Sequence, residues 1–394
     1  MKTGQTLRGA ARLAFDAVDG VTGIVEDMYR NIAAVSPPIG QAPTGGAPGI
    51  AGFVHATIRG INGLTRESVD IVLGRLADSL DELAPPGPGR EAVISALNGV
   101  VGDYLLDTDN PLAIPMQWRR HGGTLPMDRD ALKRAVPRPS RQLIITVHGL
   151  CMNDRQWTRN GHNHGVHQAE RFGADAVHLL YNTGRHISVN GRELSTQLEA
   201  LIAAWPTRVR SVRILAHSMG GLVTRSALAQ AETLGHDWPE RVRSIAFLGT
   251  PHLGAPLERG GNWIDVLGAL SPYTAPIARL GWLRSAGITD LRHGSTLDED
   301  WQGRDRFERS DHRPNLHPLP AHIEAVAAAG TLGARRTHLL GDGLVPVRSA
   351  LGQTRDGRPA MAWSESGTRV FARMNHWDLL DDPRVTTFLD THLN

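Results

Sequence analysis

The hydrophobic positions of this chain follow two different patterns, and the change falls near residue 110. Before it, apolar residues recur at three- and four-residue steps, which is typical of amphipathic helices. Segments rich in proline and glycine interrupt this pattern at 36–49 and 85–89, leaving predicted helices over 3–34, 53–80 and 91–104. Residues 1–110 are therefore expected to form a helical N-terminal extension.

After that point, short apolar runs alternate with helical patterns. A hairpin is predicted from 114–119 and 124–127. Strands are then predicted over 142–147, 176–181, 211–216, 244–249, 337–340 and 368–373, and helices over 164–172, 191–204, 218–232 and 383–392. Alternation of this kind indicates an α/β fold with a mostly parallel sheet and helices on both faces. Residues 111–394 are expected to form this domain.

The alternation is interrupted between about 253 and 333 by a segment that mixes tryptophans and leucines with prolines and glycines. An insertion at this place is expected to cover the carboxyl edge of the sheet as a cap or lid. Its apolar side chains suit contact with an acyl chain, whether the segment is a mobile lid or a permanently closed helical cap.

Composition narrows the function classes. The 394 residues carry a net charge of only +2 with dispersed arginines, so no nucleic-acid partner is expected. Cys151 is the single cysteine, which excludes an intrachain disulfide. No secretory signal is recognised, and the longest uncharged stretch contains four prolines, so a cytoplasmic protein is expected. The extension either packs on the main domain or lies on a membrane or lipid surface as a peripheral contact.

The candidate chemistry begins at the segment Ala-His-Ser-Met-Gly-Gly, residues 216–221. An apolar strand precedes it and a helical pattern follows, so Ser218 is expected at the apex of a tight strand-to-helix turn. The small residues Ala216 and Gly220 let strand and helix pack closely around the serine. Ser218 is the candidate nucleophile.

A serine nucleophile needs a base, and the base needs an acid that orients it. Asp342 lies in a Gly-Asp-Gly turn after an apolar run, and His376 follows the predicted strand 368–373. Both are expected at the carboxyl edge of the sheet, where open α/β sheets place their sites. The predicted set is Ser218 as nucleophile, His376 as base and Asp342 as orienting acid.

Ester chemistry also requires donors for the oxyanion of the tetrahedral intermediate. The backbone amide of Met219 lies in the first turn of the predicted helix and lacks a helical partner. The second donor is expected from the loop His148-Gly149-Leu150, and the backbone amide of Leu150 is assigned to it.

Other candidates are weaker. His217, His252 and Trp157 are predicted to line the substrate pocket, with His252 also a lesser alternative for the base. The histidines at 162, 164 and 167 lack the cysteines or paired carboxylates of a metal site, so a structural role and no metal are expected. Cys151 is predicted to be a buried, inert thiol.

Taken together, several segments resemble the lipase and esterase branch of the α/β-hydrolases. They are His148-Gly149, the 216–221 segment, Gly-Thr-Pro-His-Leu-Gly at 249–254, Gly-Asp-Gly-Leu-Val-Pro at 341–346 and His-Trp-Asp-Leu-Leu at 376–380. They are similar to segments of bacterial triacylglycerol lipases, lecithin-acyltransferase-like enzymes and the GPI-anchor inositol deacylase group. The resemblance covers about residues 140–394 and implies a nucleophile elbow and a triad of Ser218, Asp342 and His376 acting on an ester.

The sequence thus predicts a serine carboxylester hydrolase, without a cofactor, that acts on a small-molecule or lipid ester with an apolar acyl part. Acyl transfer, or thioester or amide hydrolysis, in the same site is one alternative. A lipid-surface binding protein with a hydrolase fold is another. Acyl length and oligomeric state stay open.

Overall fold

The computed structural model describes residues 87–255, 285–304, 316–334, 341–354 and 361–393. Its strands are β1 Gln117–Arg120, β2 Gly123–Thr124, β3 Gln142–Val147, β4 Asp175–Leu180, β5 Ser211–His217, β6 Val242–Leu248, β7 Glu324–Thr331 and β8 Thr368–Ala372. Its helices are α1 Pro88–Asp107, α2 Arg129–Ala135, α3 His164–Phe172, α4 Ile187–Ala204, α5 Met219–Ala231, α6 Ala286–His293, α7 Val347–Ala350 and α8 Pro383–His392.

The described strands form one eight-stranded sheet in the order β2-β1-β4-β3-β5-β6-β7-β8. Strands β3 to β8 pair in parallel, and the hairpin β1–β2 joins the β4 edge in antiparallel orientation. Parallel strands point their carboxyl ends to one edge. The segments that follow β3, β5, β6, β7 and β8 therefore meet there.

Two hydrophobic clusters cover the two faces of the sheet. Because side chains alternate along a strand, Leu143 and Ile145 of β3 enter one cluster and Ile144 enters the other. The first cluster includes residues of α1, α4 and α5, and the second includes residues of α3 and α8. The predicted α/β class, with helices on both faces of a mostly parallel sheet, is confirmed.

Most predicted elements agree with the structure. β3 and α3 have the predicted bounds, and so does α8, which begins with Asp382 as N-cap and Pro383 in its first turn. The predicted strand 337–340 lies outside the described residues, as do residues 1–86 of the predicted extension. Within the described residues, no helix is both long and apolar enough to cross a bilayer.

One strand of the sheet lies where no strand was predicted. β7 falls inside 253–333, the range predicted for the cap, so that insertion must end before residue 324. The sequence of β7, Glu-Ala-Val-Ala-Ala-Ala-Gly-Thr, is rich in alanine, which favours helices intrinsically and is depleted in strands. Residues 325–331 are nevertheless buried, and the side chains of 325–329 alternate between the two hydrophobic clusters that cover the faces of the sheet.

Helix α1 lies within the predicted extension but is part of the main core. Val93, Ala96, Leu97 and Val100 belong to the same cluster as the inner residues of β3 and β5. Of the two alternatives for the extension, packing on the main domain is what this helix does. The boundary predicted at residue 110 stays a prediction for the rest of the extension.

Candidate active site

Ser218 lies between the last residue of β5 and the first residue of α5, in a strained backbone conformation. Its φ of 54° and ψ of −127° are unusual for a residue with a side chain and are a local conformational cost. The turn is held by main-chain hydrogen bonds: the Ser218 amide donates to Leu248 O at 2.8 Å, and the Gly221 amide donates to Ser218 O at 3.1 Å. The predicted strand-to-helix turn is therefore present, with the serine at its apex.

Two glycines allow the chain to close around this turn. A Cβ placed on Gly220 would lie 2.3 Å from Val147 O, and one placed on Gly149 would lie 2.9 Å from the Ser218 Cβ. A side chain at either position would push α5 or the loop after β3 away from the serine. Both glycines therefore place the Ser218 turn directly against the end of β3.

Asp342 and His376 form a buried hydrogen-bonded pair. His376 Nδ1 lies 2.7 Å from Asp342 Oδ2, and both side chains are almost fully buried. The other carboxylate oxygen, Oδ1, accepts hydrogen bonds from the amides of Leu344 at 3.0 Å and Val345 at 2.8 Å. The His376 amide also donates to Asp342 O at 3.1 Å. The aspartate is therefore held on two sides and faces the imidazole.

The backbone near β7 and β8 brings this pair together. A Cβ on Gly330, in β7, would lie 3.0 Å from the Asp342 Cβ and 2.8 Å from Met374 O. The histidine loop, residues 373–378, is closed by Asn375. The side-chain oxygen of Asn375 accepts from the backbone amides of Trp377 and Asp378, and the backbone amide of Asn375 donates to the Asp378 carboxylate at 2.8 Å. These contacts fix the loop that carries the imidazole.

Among the described residues, no hydrogen bond joins Ser218 to His376. The ring of His217, next to the serine in sequence, has its centroid 4.6 Å from that of His376. Among the described residues, His376 Nε2 is buried and has no hydrogen-bond partner. The structure thus pairs the predicted acid with the predicted base. The predicted nucleophile follows His217, whose ring contacts that base, and the serine–histidine bond is not formed.

The two predicted oxyanion donors belong to segments that adjoin the serine. Leu150 follows Gly149, which packs on Ser218, and Met219 is the first residue of α5. Amides in the first turn of a helix have no helical partner. The start of the loop is fixed by the His148 ring, which stacks on Tyr181 with centroids 4.5 Å apart, and by the Tyr181 hydroxyl, which donates to His148 O at 2.8 Å.

His217, His252 and Trp157, which were predicted to line the substrate pocket, are fully buried and present no surface to solvent. His217 Nε2 lies 3.2 Å from His376 O, and since a carbonyl only accepts, this nitrogen carries the proton. Burial holds the pKa of His217 well below its usual value. His217 is thus a neutral residue that supports the histidine loop, and its role as pocket lining stays a prediction.

The remaining candidates have structural contacts. His162 Nε2 lies 2.9 Å from His164 Nδ1, and His167 pairs with Asp390 of α8. In the described part of the chain, no group of three histidine, cysteine or acidic side chains has a geometry suited to a metal ion. The Cys151 thiol is buried, and burial raises its pKa, which suits the predicted inert thiol.

Buried histidines make the fold sensitive to acid. Burial lowers the pKa of His164 to about 3 and those of His148 and His178 to about 4, and it holds those of His217 and His252 well below the usual value. Their unfolded pKa is about 6.5. The unfolded chain therefore binds more protons, and stability that is present above about pH 6.5 is lost as the pH falls towards 4.

The free energy of unfolding is expected to fall by about 1.4 kcal/mol per buried histidine for each pH unit below about 6. Urea unfolding between pH 7.5 and 5 measures it as a steep fall in the free energy of unfolding. The His178→Gln variant should reduce this slope, whereas the same change at the exposed His322 should leave it unchanged. A free energy of unfolding that is flat over this range would contradict the prediction.

Some residues of the site were not predicted. Asn375 and Asp378 close the histidine loop, and the Thr183 hydroxyl accepts from the Cys151 amide at 3.1 Å. The Asn-His-Trp-Asp segment carries a usable signal, because asparagine and aspartate three residues apart often cap each other's amides. Thr183 carries no such signal, since its partner lies 32 positions away.

The fold and the site geometry define a class. A mostly parallel sheet with helices on both faces, with a serine at a strained strand-to-helix turn and an Asp–His pair at the same edge, is the architecture of the α/β-hydrolases. Residues 138–320 match a family described as "PGAP1-like alpha/beta domain". The predicted resemblance to the lipase and esterase branch of the α/β-hydrolases is confirmed at this level.

Solved structures with similarity to the chain include lipases and an esterase. The mature lipase BlEst2 of Bacillus licheniformis is 20% identical over 64% of this chain and 91% of its own, with a TM-score of 0.42. Lipase B of Aspergillus fumigatus is 12% identical over 96% and 83%, with a TM-score of 0.41. A thermophilic esterase from Thermogutta terrifontis is 12% identical over 65% and 90%, with a TM-score of 0.37. No curated protein matches the sequence.

Proposed function

We propose that this protein is a serine carboxylester hydrolase that acts through Ser218, His376 and Asp342. The observation that carries the proposal is the buried 2.7 Å hydrogen bond between His376 and Asp342 beside a serine in a strained turn. A neutral imidazole whose Nδ1–H donates to a carboxylate has its Nε2 lone pair free to accept a proton. In the part of the chain that the structure describes, that nitrogen has no hydrogen-bond partner.

The proposed reaction has two halves. His376 Nε2 takes the Ser218 proton as the hydroxyl oxygen attacks the ester carbonyl, and the same proton then passes to the departing alcohol. The resulting acyl-enzyme is hydrolysed by a water that His376 activates in the same way. The amides of Leu150 and Met219 hold the negative oxygen in both halves. The Ser218–His376 hydrogen bond forms in the substrate complex, since such bonds are often long before substrate binds.

The substrate is proposed to be an ester with an apolar acyl part. Support comes from the aromatic and leucine content of the insertion that begins near residue 253. A series of p-nitrophenyl esters of increasing acyl length, measured below and above their solubility limits, tests this. A rate that jumps above the limit indicates a lipase, and a preference for short soluble chains indicates an esterase.

A fluorophosphonate probe tests the proposal most directly. The probe should attach to the peptide that contains Ser218, and prior heat denaturation should abolish attachment. Adding an alcohol acceptor during ester turnover distinguishes hydrolysis from acyl transfer by the product formed. A folded protein that is not labelled at Ser218 but floats with liposomes would contradict the enzyme and favour the lipid-surface binder.

A further inference from the structure

Helix α1 packs unusually closely on the loop that carries Leu150. A Cβ placed on Gly99 of α1 would lie 2.2 Å from the Cys151 Sγ and 2.9 Å from the Cys151 amide nitrogen. Only a glycine fits at this point without moving the loop. Cys151 itself has a φ of 60°, a conformation that persists only where surrounding contacts impose it. The loop is therefore held from outside.

The segment after β4, residues 182–184, contacts both Cys151 and α1. Thr183, which is buried, accepts a hydrogen bond from the Cys151 amide through its hydroxyl at 3.1 Å. The neighbouring Asn182 donates from its side chain to Gly102 O of α1 at 2.8 Å. A Cβ on Gly184 would lie 2.2 Å from Asn98 O. The segment 182–184 is thus itself fixed against α1.

Helix α6 closes the third side. Its N-cap Ser285 donates from the hydroxyl to Gly99 O at 2.6 Å, and the Gly287 amide donates to Gly184 O at 3.0 Å. A Cβ on Gly287 would lie 2.1 Å from Thr183 O. Helices α1 and α6, which are distant in sequence, therefore leave Thr183 little freedom to move. Its hydroxyl is a fixed acceptor for the Cys151 amide.

We propose that Thr183 is a positioning residue for the oxyanion site, with α1 as the wall behind it. This rests on the proposed function, in which the Leu150 amide stabilises the oxyanion. The Cys151 amide belongs to the peptide plane between Leu150 and Cys151. A hydrogen bond that fixes this plane restricts the backbone rotation of Leu150, and it thereby sets the direction of the Leu150 N–H. Helix α1 lies outside the matched range 138–320 and becomes part of the catalytic domain on this account.

The test compares Thr183→Val, which keeps the shape and removes the acceptor, with Thr183→Ser, which keeps the hydroxyl. Removing one oxyanion donor lowers rates by about 10²–10³, so misaiming one is expected to lower kcat by about 10- to 100-fold in the valine variant. KM should change by less than about threefold, because the interaction is made mainly in the transition state. The serine variant should recover most of the activity. Thr196→Val, an exposed helical position in α4, is the matched control.

A second readout separates positioning from a loss of stability. The affinity for a trifluoromethyl ketone, whose adduct with serine carries an oxyanion, should fall in parallel with kcat/KM across the variants. Gly99→Ala should move the same loop from the other side, and its inhibitor affinity and kcat/KM should follow the same correlation. A folded valine variant with wild-type kcat, or one that loses only thermal stability, overturns the positioning role alone. If the wild-type protein shows no ester turnover that depends on Ser218, both proposals are overturned.

Discussion

Replacing Ser218 with alanine is expected to lower the turnover of p-nitrophenyl esters by about 10⁶-fold, as loss of a triad nucleophile does in other serine hydrolases. The reason is that the neighbouring groups act only through the serine oxygen. Without it, the buried His376–Asp342 pair has no nucleophile from which to take a proton. The fold should be retained, because the hydrogen bonds that hold the turn are main-chain bonds and an alanine keeps them.

The matched control is Ser226→Ala, which makes the same substitution within α5, two turns beyond Ser218. The Ser226 hydroxyl bonds with the Gln230 side chain and takes no part in the site. This variant should keep its activity within about twofold and lose at most about 1 kcal/mol of stability. If Ser218→Ala retains more than a few percent of wild-type turnover, another nucleophile does the chemistry. The same fluorophosphonate labelling would then locate it.

The local signals of this chain predict its elements where they agree with the tertiary contacts. β3 is a β-branched apolar run in the middle of the sheet, and α8 starts with an aspartate N-cap followed by proline, so both were predicted with their observed bounds. β7 was missed because its alanines carry no strand signal. Its place between β6 and β8 is fixed by pairing with strands that are distant in the sequence, which no local pattern shows.

The candidate site divides in the same way. Asp342 and His376 were predicted from turns that are readable in the sequence, because each turn also signals a chain reversal at a strand end. The strand predicted to lead to Asp342, 337–340, lies outside the described residues. The contacts that orient these groups differ in how readable they are. The Leu344 and Val345 amides on Asp342 are local turn contacts, of a kind that an aspartate between glycines signals. The Thr183 hydroxyl on Cys151 joins residues 32 positions apart and leaves no trace in composition or spacing.

Replacing Asp342 with asparagine is expected to lower kcat by about 10⁴-fold through the histidine tautomer. In the wild type, the amides of Leu344 and Val345 donate to Oδ1. In Asp342→Asn these two donors still require an acceptor there, so the asparagine oxygen takes that place and its NH₂ group faces His376. The imidazole must then accept at Nδ1, which puts its proton on Nε2, where the lone pair for Ser218 is needed.

In Asp342→Asn, kcat and the rate of fluorophosphonate labelling of Ser218 should therefore fall together, with little change in thermal stability. Asp175→Asn is the control: that carboxylate is also buried and accepts from Arg120 and the Ser140 amide, but it begins β4 at the opposite edge of the sheet. Its kcat should be unchanged. A folded Asp342→Asn protein that loses less than about 100-fold would mean that Asp342 does not set the tautomer, because a correctly oriented base accounts for a larger share of the rate than that.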